Sequence, residues 1–214
     1  TNQSTTTDFY TASQMGGDTS SRLFDEADTD VDGDFIIEAG PVQFPSTNLT
    51  VGGSFDNDDT FIAPTGVVTF NATSGSHTIA AGVSSFHGLT INSTGGDLTV
   101  TENATATDAI TLTAADDFTV ASGVILESQG MFSNAIANAS TTWNGSTLRL
   151  SGGDQTINAK THGGDEYDTL QTVGGTQIKM WNSFASTYDT LATSSIYSQD
   201  HAGVDGDLYI WGDF

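Results

Sequence analysis

The residues best placed to do chemistry are acidic, and the sharpest group comprises Asp28, Asp30, Asp32, Asp34 and Glu38. The D-x-D-x-D-G spacing, with Gly33 at the bend, predicts carboxylates on one side of a tight loop, as in the first half of an EF-hand calcium loop. Position 12 of such a loop, where a bidentate Glu is expected, is Ala39, one residue after Glu38. The apolar run that follows the loop indicates a strand in place of an exiting helix. The pattern therefore predicts a calcium-stabilised turn, with a plain solvated acidic turn as the alternative.

A second metal site is predicted near the end of the chain, at Asp200, Asp205 and Asp207. The general reason for expecting a bound cation is the formal net charge of −23. A chain with this charge repels itself, and divalent counter-ions relieve the repulsion. Ca²⁺ is the cofactor that the sequence predicts.

Catalysis is not predicted, although paired carboxylates occur at Asp58–Asp59 and Asp116–Asp117 and histidines at His87 and His162. An inverting glycosidase needs an acid and a base carboxylate with room for water between them. A polygalacturonase-like site also needs basic residues near its carboxylates, and no Arg-x-Lys or Gly-His-Gly pattern occurs. A polysaccharide-active enzyme is therefore the least favoured function.

Acceptor sequences for N-glycosylation, Asn-x-Ser/Thr, provide a further set of candidate modification sites, among them Asn48, Asn71, Asn92 and Asn103. Ser and Thr make up about a quarter of the chain, so chance alone produces some of these matches.

Composition excludes several classes of protein. Four Lys and Arg residues stand against 27 Asp and Glu residues, so the chain cannot neutralise a run of phosphates and is not predicted to bind nucleic acid. No apolar run approaches the roughly 20 residues of a membrane span. Because the chain has no cysteine, disulfides and thiolate metal sites are excluded.

Strand-sized runs of β-branched and aromatic residues, separated by Gly, Asn, Asp and Ser, predict an all-β fold. The recurrent unit is apolar-Thr-apolar, as in Val67–Phe70 and Gly88–Ile91. In a stacked parallel solenoid the apolar residues point inward and the central Thr faces out, forming ladders between coils. A right-handed parallel β-helix (β-solenoid) is therefore predicted, with a β-sandwich as the alternative.

Internal repetition supports the solenoid, since repeats of this kind build extended stacks. Thr69-Phe70-Asn71, Thr78-Ile79 and Phe86-His87-Gly88-Leu89 align with Arg149-Leu150-Ser151, Thr156-Ile157 and Tyr167-Asp168-Thr169-Leu170 at offsets of about 80 residues. The interpretation is a cap or docking segment over residues 1–45, followed by a β-solenoid over residues 46–214 with two super-repeats of about 80 residues.

The stretches Val67–Ile91 and Thr147–Leu170, and the closing segment Ile196–Phe214, resemble repeats of very large secreted bacterial surface proteins, including those of candidate-phylum lineages. The resemblance implies a right-handed parallel β-helix in an adhesin-like molecule at the cell surface, and it supplies no catalytic residues. The predicted function is accordingly a structural or adhesive extracellular unit, a subunit or repeat of a surface filament or giant surface protein.

The partners expected from this interpretation are other copies of the chain or neighbouring repeats of the same molecule. The alternative is a carbohydrate-binding adhesin module that meets surface glycans, in which Trp143, Trp181 and Trp211 would offer sugar-stacking faces. Because the sequence opens at Thr1 with no signal-peptide pattern, a processed chain or a piece of a longer protein is expected.

Overall fold

The computed structural model describes residues 3–4, 22–23, 28–63, 65–137, 140–152, 155–157, 167–173, 178–182, 187–190 and 208–210. These residues form strands and turns with essentially no helix. The strands are, in chain order, Gln3–Ser4 (β1), Arg22–Leu23 (β2), Asp28–Val31 (β3), Phe35–Ile37 (β4), Val42–Gln43 (β5), Asn48–Val51 (β6), Phe55–Asn57 (β7), Phe61–Ile62 (β8), Val67–Phe70 (β9), Ser76–Ala80 (β10), Ser85–Phe86 (β11), Gly88–Asn92 (β12), Asp97–Val100 (β13), Ala104–Ala106 (β14), Ile110–Ala114 (β15), Phe118–Val120 (β16), Ile125–Ser128 (β17), Phe132–Asn134 (β18), Thr141–Thr142 (β19), Thr147–Leu150 (β20), Gln155–Ile157 (β21), Thr169–Thr172 (β22), Ile178–Asn182 (β23), Thr187–Thr190 (β24) and Leu208–Ile210 (β25).

The strands build three faces that the chain visits in turn. Face 1 contains β1, β3, β6, β9, β12, β15 and β18, and face 2 contains β4, β7, β10, β13, β16 and β19. Face 3 contains β2, β5 and β8, followed by β11, β14, β17, β20, β22 and β25. A short further sheet joins β21, β23 and β24.

Neighbouring strands pair in parallel, and the pairing shows the length of one coil. Asn48 pairs with Val67, 19 residues on, and Phe55 pairs with Ile79, 24 residues on. These are the shortest and the longest separations among the parallel pairs from β3 to β22. Among the described pairs, β23 and β24 are antiparallel. The molecule is thus a parallel β-solenoid of about six turns, which confirms the predicted fold and rules out the antiparallel sandwich.

Alternation along each strand places the core inside the coil. In Asn48–Val51 the burial alternates, with Leu49 and Val51 inside and Thr50 facing out, as a two-residue side-chain period requires. The inward residues of face 1 stack on one another from coil to coil, for example Leu49 on Val68 and Val51 on Phe70. One core therefore runs along the solenoid axis.

Aromatic side chains fill the two ends of this described core. The first cluster is centred on Phe55, whose ring lies 5.5 to 6.1 Å, centroid to centroid, from five other rings, those of Phe35, Phe44, Phe61, Phe70 and Phe86. The second cluster comprises Phe118, Phe132, Trp143 and Tyr167. The coil between them, β13 to β15, is filled by aliphatic side chains.

Two features of the predicted domain organisation can be compared with this fold. Strands β3, β4 and β5 lie within the predicted N-terminal segment and pair with β6, β7 and β8, so parallel coils extend into it. The super-repeat aligned β9 on face 1 with β20 on face 3. The predicted boundary at residue 45 and the two super-repeats stay predictions.

In the described part of the chain, no helix is long and apolar enough to span a membrane.

Candidate functional site

Outward hydroxyl side chains form a ladder along face 1, as the apolar-Thr-apolar pattern predicted. Registered pairing between successive strands aligns the column Thr50, Thr69, Thr90, Thr111 and Ser133. All five are half-buried, because neighbouring side chains in the column cover one another. The ladder is therefore both a coil-to-coil contact and the outer surface of this face.

Face 2 carries a second ladder of the same kind, formed by Thr78, Thr99, Thr119 and Thr142. Its surroundings differ from those of face 1, because acidic residues occupy its strands and edges. Asp56 and Asp97 belong to its strands, and Asp117 directly precedes β16. The two ladders thus present similar hydroxyl rows in different electrostatic settings.

Face 3 presents a ladder of longer polar side chains. Arg149 Nη1 donates to Glu127 Oε2 at 3.2 Å, and Arg149 Nε donates to Gln171 Oε1 at 2.7 Å. The Ser151 hydroxyl donates to the other carboxylate oxygen of Glu127 at 2.7 Å. These groups link three successive coils, since β17, β20 and β22 are neighbours in the sheet. Sequence analysis missed this ladder, because the spacing of Glu127 and Arg149 has meaning only once the coil length is known.

The predicted calcium loop is in part a strand. Asp28–Val31 forms β3, with Thr29 and Val31 buried and the two aspartates exposed, and the chain bends only at residues 32–33. The expectation of one tight loop was therefore wrong. Burial of every second residue in the core outweighs the turn preference of aspartate here.

Two of the predicted calcium ligands already bond to the next coil. Asp28 Oδ1 accepts from Thr47 Oγ1 at 2.8 Å and from Asn48 Nδ2 at 2.9 Å, and Asp34 Oδ1 accepts from the Ser54 backbone N–H at 2.7 Å. No three Asp, Glu or His side chains gather into a metal-holding group within the described residues. Asp30, Asp32 and Glu38 are exposed, and Asp200, Asp205 and Asp207 lie outside the described residues. Calcium binding stays a prediction.

The predicted glycosylation sites differ in how far their side chains are engaged. Asn48 donates to Asp28, as described above, and Asn103 Oδ1 accepts from the Ile125 backbone N–H at 2.8 Å. Asn71 is half-buried and Asn92 is exposed at the end of β12. Modification at all four sites stays a prediction, and two of the side chains have a structural role between coils.

The paired carboxylates considered for catalysis stand far apart. Asp58–Asp59 follows β7 and Asp116–Asp117 precedes β16, at opposite edges of face 2, with β10 and β13 between the two strands. At about 4.8 Å per strand, the separation along the axis alone is about 14 Å, beyond the roughly 6.5–9.5 Å of an inverting pair. His162 lies outside the described residues, and His87 Nδ1 is buried without a hydrogen-bond partner.

Trp143 does not offer a sugar-stacking face. Only 2% of its surface is exposed, and its ring packs edge-on against Tyr167 at 4.8 Å and Phe118 at 5.9 Å between ring centroids. The side chains of Trp181 and Trp211 lie outside the described residues. Among the described residues, the large hydrophobic side chains that are exposed are Ile62, Val83 and Met131, none of them aromatic.

Asp56 is the described carboxyl group with a clear electrostatic perturbation. Desolvation by burial raises its pKa above the ordinary value of 3.8, and the negative charges of Asp58 and Glu102 raise the pKa further. A carboxyl group whose pKa is raised by folding favours the folded state when protonated. That stabilisation is fully present below pH 3.8 and is lost as the pH rises through the raised pKa.

We therefore predict that Asp56→Asn slightly raises the thermal midpoint at pH 7, because it removes a charge that its neighbours oppose. The gain should disappear as the pH is lowered below 3.8, where Asp56 becomes protonated in both folded and unfolded chains. Thermal unfolding followed by circular dichroism at several pH values measures this. Asp116→Asn, which removes the same charge at the opposite edge of face 2, is the control, and an equal gain from both variants would contradict the argument.

No protein-family model matches the chain, and neither the curated proteins nor the solved structures gave a match.

Proposed function

We propose that the chain is a structural or adhesive unit of a cell surface, a subunit or repeat of an extracellular filament or large surface protein. The observation that carries the proposal is the continuous core, in which each described coil continues the register of the one before. A solenoid of this kind gains length with every coil and keeps the same cross-section. That is the property needed of a spacer or filament unit.

The outward polar side chains support the same proposal. The Thr ladders of faces 1 and 2 and the Arg149–Glu127 pair, at 3.2 Å, lie between coils. Their role in the structure is to hold successive coils in register. The resemblance to bacterial surface repeats adds the extracellular setting to this proposal, through sequence pattern alone.

Calcium is part of the proposal because the overall charge of the chain is −23. Divalent ions and salt both reduce self-repulsion of an acidic chain. Asp30 and Asp32, exposed in β3 and in the bend that follows it, are the carboxylates that we propose as the first calcium contacts. In this proposal calcium strengthens contacts between acidic coil surfaces.

Negative-stain electron microscopy of the purified chain, in about millimolar calcium and again with excess chelator, tests the proposal. Ordered fibres or tubes in calcium that dissolve in chelator are expected, because the ion reduces repulsion between acidic surfaces. Asp30→Asn/Asp32→Asn should weaken the calcium response, whereas Asp116→Asn/Asp117→Asn, with the same charge change, should retain it. Single particles under both conditions would contradict the filament proposal.

A carbohydrate-binding module is the second candidate function, and no contact among the described residues favours it. Binding to an array of surface glycans that is lost on replacing Trp181 or Trp211 with alanine would establish it in place of the structural proposal.

A further inference from the structure

The corner between β19 and β20 contains the one Asn-Gly pair of the sequence, Asn144-Gly145. The two residues form the middle of a β-turn, in which the Ser146 backbone N–H donates to the Trp143 carbonyl oxygen at 3.0 Å. Gly145 has a φ of 73°, a left-handed conformation that glycine adopts without strain. Both Asn144 and Gly145 are exposed, so water and hydroxide reach them.

Neither group of this pair that could react is engaged elsewhere. Within the described part of the chain, no hydrogen bond involves the side-chain amide of Asn144 or the backbone N–H of Gly145. The side-chain amides of Asn57 and Asn103, in contrast, bond to backbone groups of the next coil. The Asn144 side chain is thus free to turn toward the backbone nitrogen that follows it.

We propose that Asn144 is a site of spontaneous covalent modification, at which the chain deamidates and isomerises without an enzyme. The Gly145 backbone nitrogen gives its proton to hydroxide and attacks Cγ of Asn144. The new N–Cγ bond closes a succinimide ring as the Cγ–Nδ2 bond breaks, and the departing nitrogen takes a proton from water and leaves as ammonia. Glycine favours this step because it has no Cβ to shield its nitrogen.

Water completes the reaction by opening the succinimide at one of its two carbonyl carbons. Opening at Cγ leaves aspartate at this position. Opening at the main-chain carbonyl carbon leaves isoaspartate, whose backbone runs through Cβ and Cγ. Either product replaces a neutral amide with a carboxylate that is charged at pH 7, and isoaspartate also lengthens the backbone of the turn by one carbon atom.

The added carbon atom falls where two corners of the solenoid meet. Gly123, in the corner of the preceding coil, donates its backbone N–H to the Gly145 carbonyl oxygen at 2.7 Å. A longer backbone between Asn144 and Gly145 moves this oxygen, so isoaspartate should break the bond, whereas aspartate should leave it in place. The inference does not depend on the proposed function of the chain.

Incubation of the 214-residue chain at pH 7 and at a more alkaline pH, followed by peptide mass spectrometry and enzymatic methylation of isoaspartate, tests the proposal. Asn144 should lose its amide faster than every other described asparagine, and faster at the higher pH, because the attacking nitrogen must lose its proton. Asn92 is the internal comparison, since it is exposed but is followed by Ser93. No reaction at Asn144, or equal rates at Asn92 and Asn144, would overturn the inference.

Ser122→Asn, made together with Asn144→Gln, is the matched variant, because it places an Asn-Gly pair in the equivalent turn of the preceding coil. Ser122 is exposed and Gly123 has a φ of 82°, but the Gly123 nitrogen already donates its proton to Gly145. The introduced asparagine should therefore deamidate about fivefold more slowly than Asn144 does in the wild type, a factor equivalent to one hydrogen bond of about 1 kcal/mol. An equal or faster rate would show that the free N–H of Gly145 does not select the site.

Amide hydrogen exchange at Gly123 tests the structural consequence. In incubated wild type that contains isoaspartate, this amide should exchange several-fold faster, because its hydrogen bond to Gly145 is lost. Fresh Asn144→Asp, which adds the charge without the extra carbon atom, and incubated Asn144→Gln should both keep the protection of the fresh wild type. Unchanged exchange at Gly123 in chains that contain isoaspartate would contradict the loosening of this corner.

Discussion

Phe55→Ala should lower the free energy of unfolding by about 3–5 kcal/mol, the usual cost of removing a fully buried aromatic side chain. Phe55 has no exposed surface and is in ring contact with Phe35, Phe61 and Phe86, among others. The cavity would lie between coils, and the neighbouring rings could not close it without leaving their own contacts. Since natural domains are stable by about 5–15 kcal/mol, this single change should remove a large share of the total.

Chemical denaturation followed by circular dichroism measures this loss. Ile62→Ala is the control, because Ile62 lies in the same coil, directly after Phe61, and is 49% exposed. Surface replacements of this kind change stability by about 0.5 kcal/mol or less. A loss below about 1 kcal/mol for Phe55→Ala would show that the aromatic cluster is not packed as described.

Gly66→Ala should destabilise the protein by about 3 kcal/mol, at the upper end of the usual cost of overpacking. A Cβ atom at Gly66 would meet the backbone oxygen of Thr47 on the preceding coil, far inside van der Waals contact. That oxygen accepts the Val67 backbone N–H at 2.9 Å, so it cannot move aside without breaking a bond between coils. The corner at this position therefore admits only glycine.

Gly88→Ala tests whether contact with the backbone of the preceding coil causes the destabilisation expected of Gly66→Ala. Gly88 is also buried and is the first residue of β12 on face 1, and a Cβ there would meet Cγ2 of the Val67 side chain at 3.1 Å. A side chain can adjust, so Gly88→Ala should cost less than about 1 kcal/mol. Equal losses from the two variants, measured by denaturant unfolding, would be evidence against the close approach of coils at Thr47.

The sequence predicted the strand pattern and the outward ladder because both follow from one local rule. Alternation of apolar residues with Thr in Val67–Phe70 and Gly88–Asn92 requires the apolar residues to share a face, and the structure buries these short strands by stacking them in coils. The alternation says nothing, however, about which strands share a face. The super-repeat therefore aligned β9 with β20, which the structure places on different faces.

The acidic turn shows a second limit of local reasoning. A D-x-D-x-D-G pattern is typical of a calcium loop, but at Asp28–Val31 the alternate buried positions Thr29 and Val31 make the segment a strand of face 1. The side-chain partners of Asp28, at Thr47 and Asn48, are 19 and 20 residues distant along the chain. Such partners can be predicted only after the coil length is known.

The coil length also determines the sequence separation between residues that pair with one another. Paired residues along the main stack are 19 to 24 positions apart in a chain of 214. Such pairs give a contact order of about 0.1, a value more usual for helical bundles than for sheet proteins. Because each coil closes a loop of about 20 residues, the entropy cost of closure is similar for every coil. Each coil can consequently dock on its predecessor as soon as that predecessor is in place, so a protein made almost wholly of parallel strands is built through short-range steps.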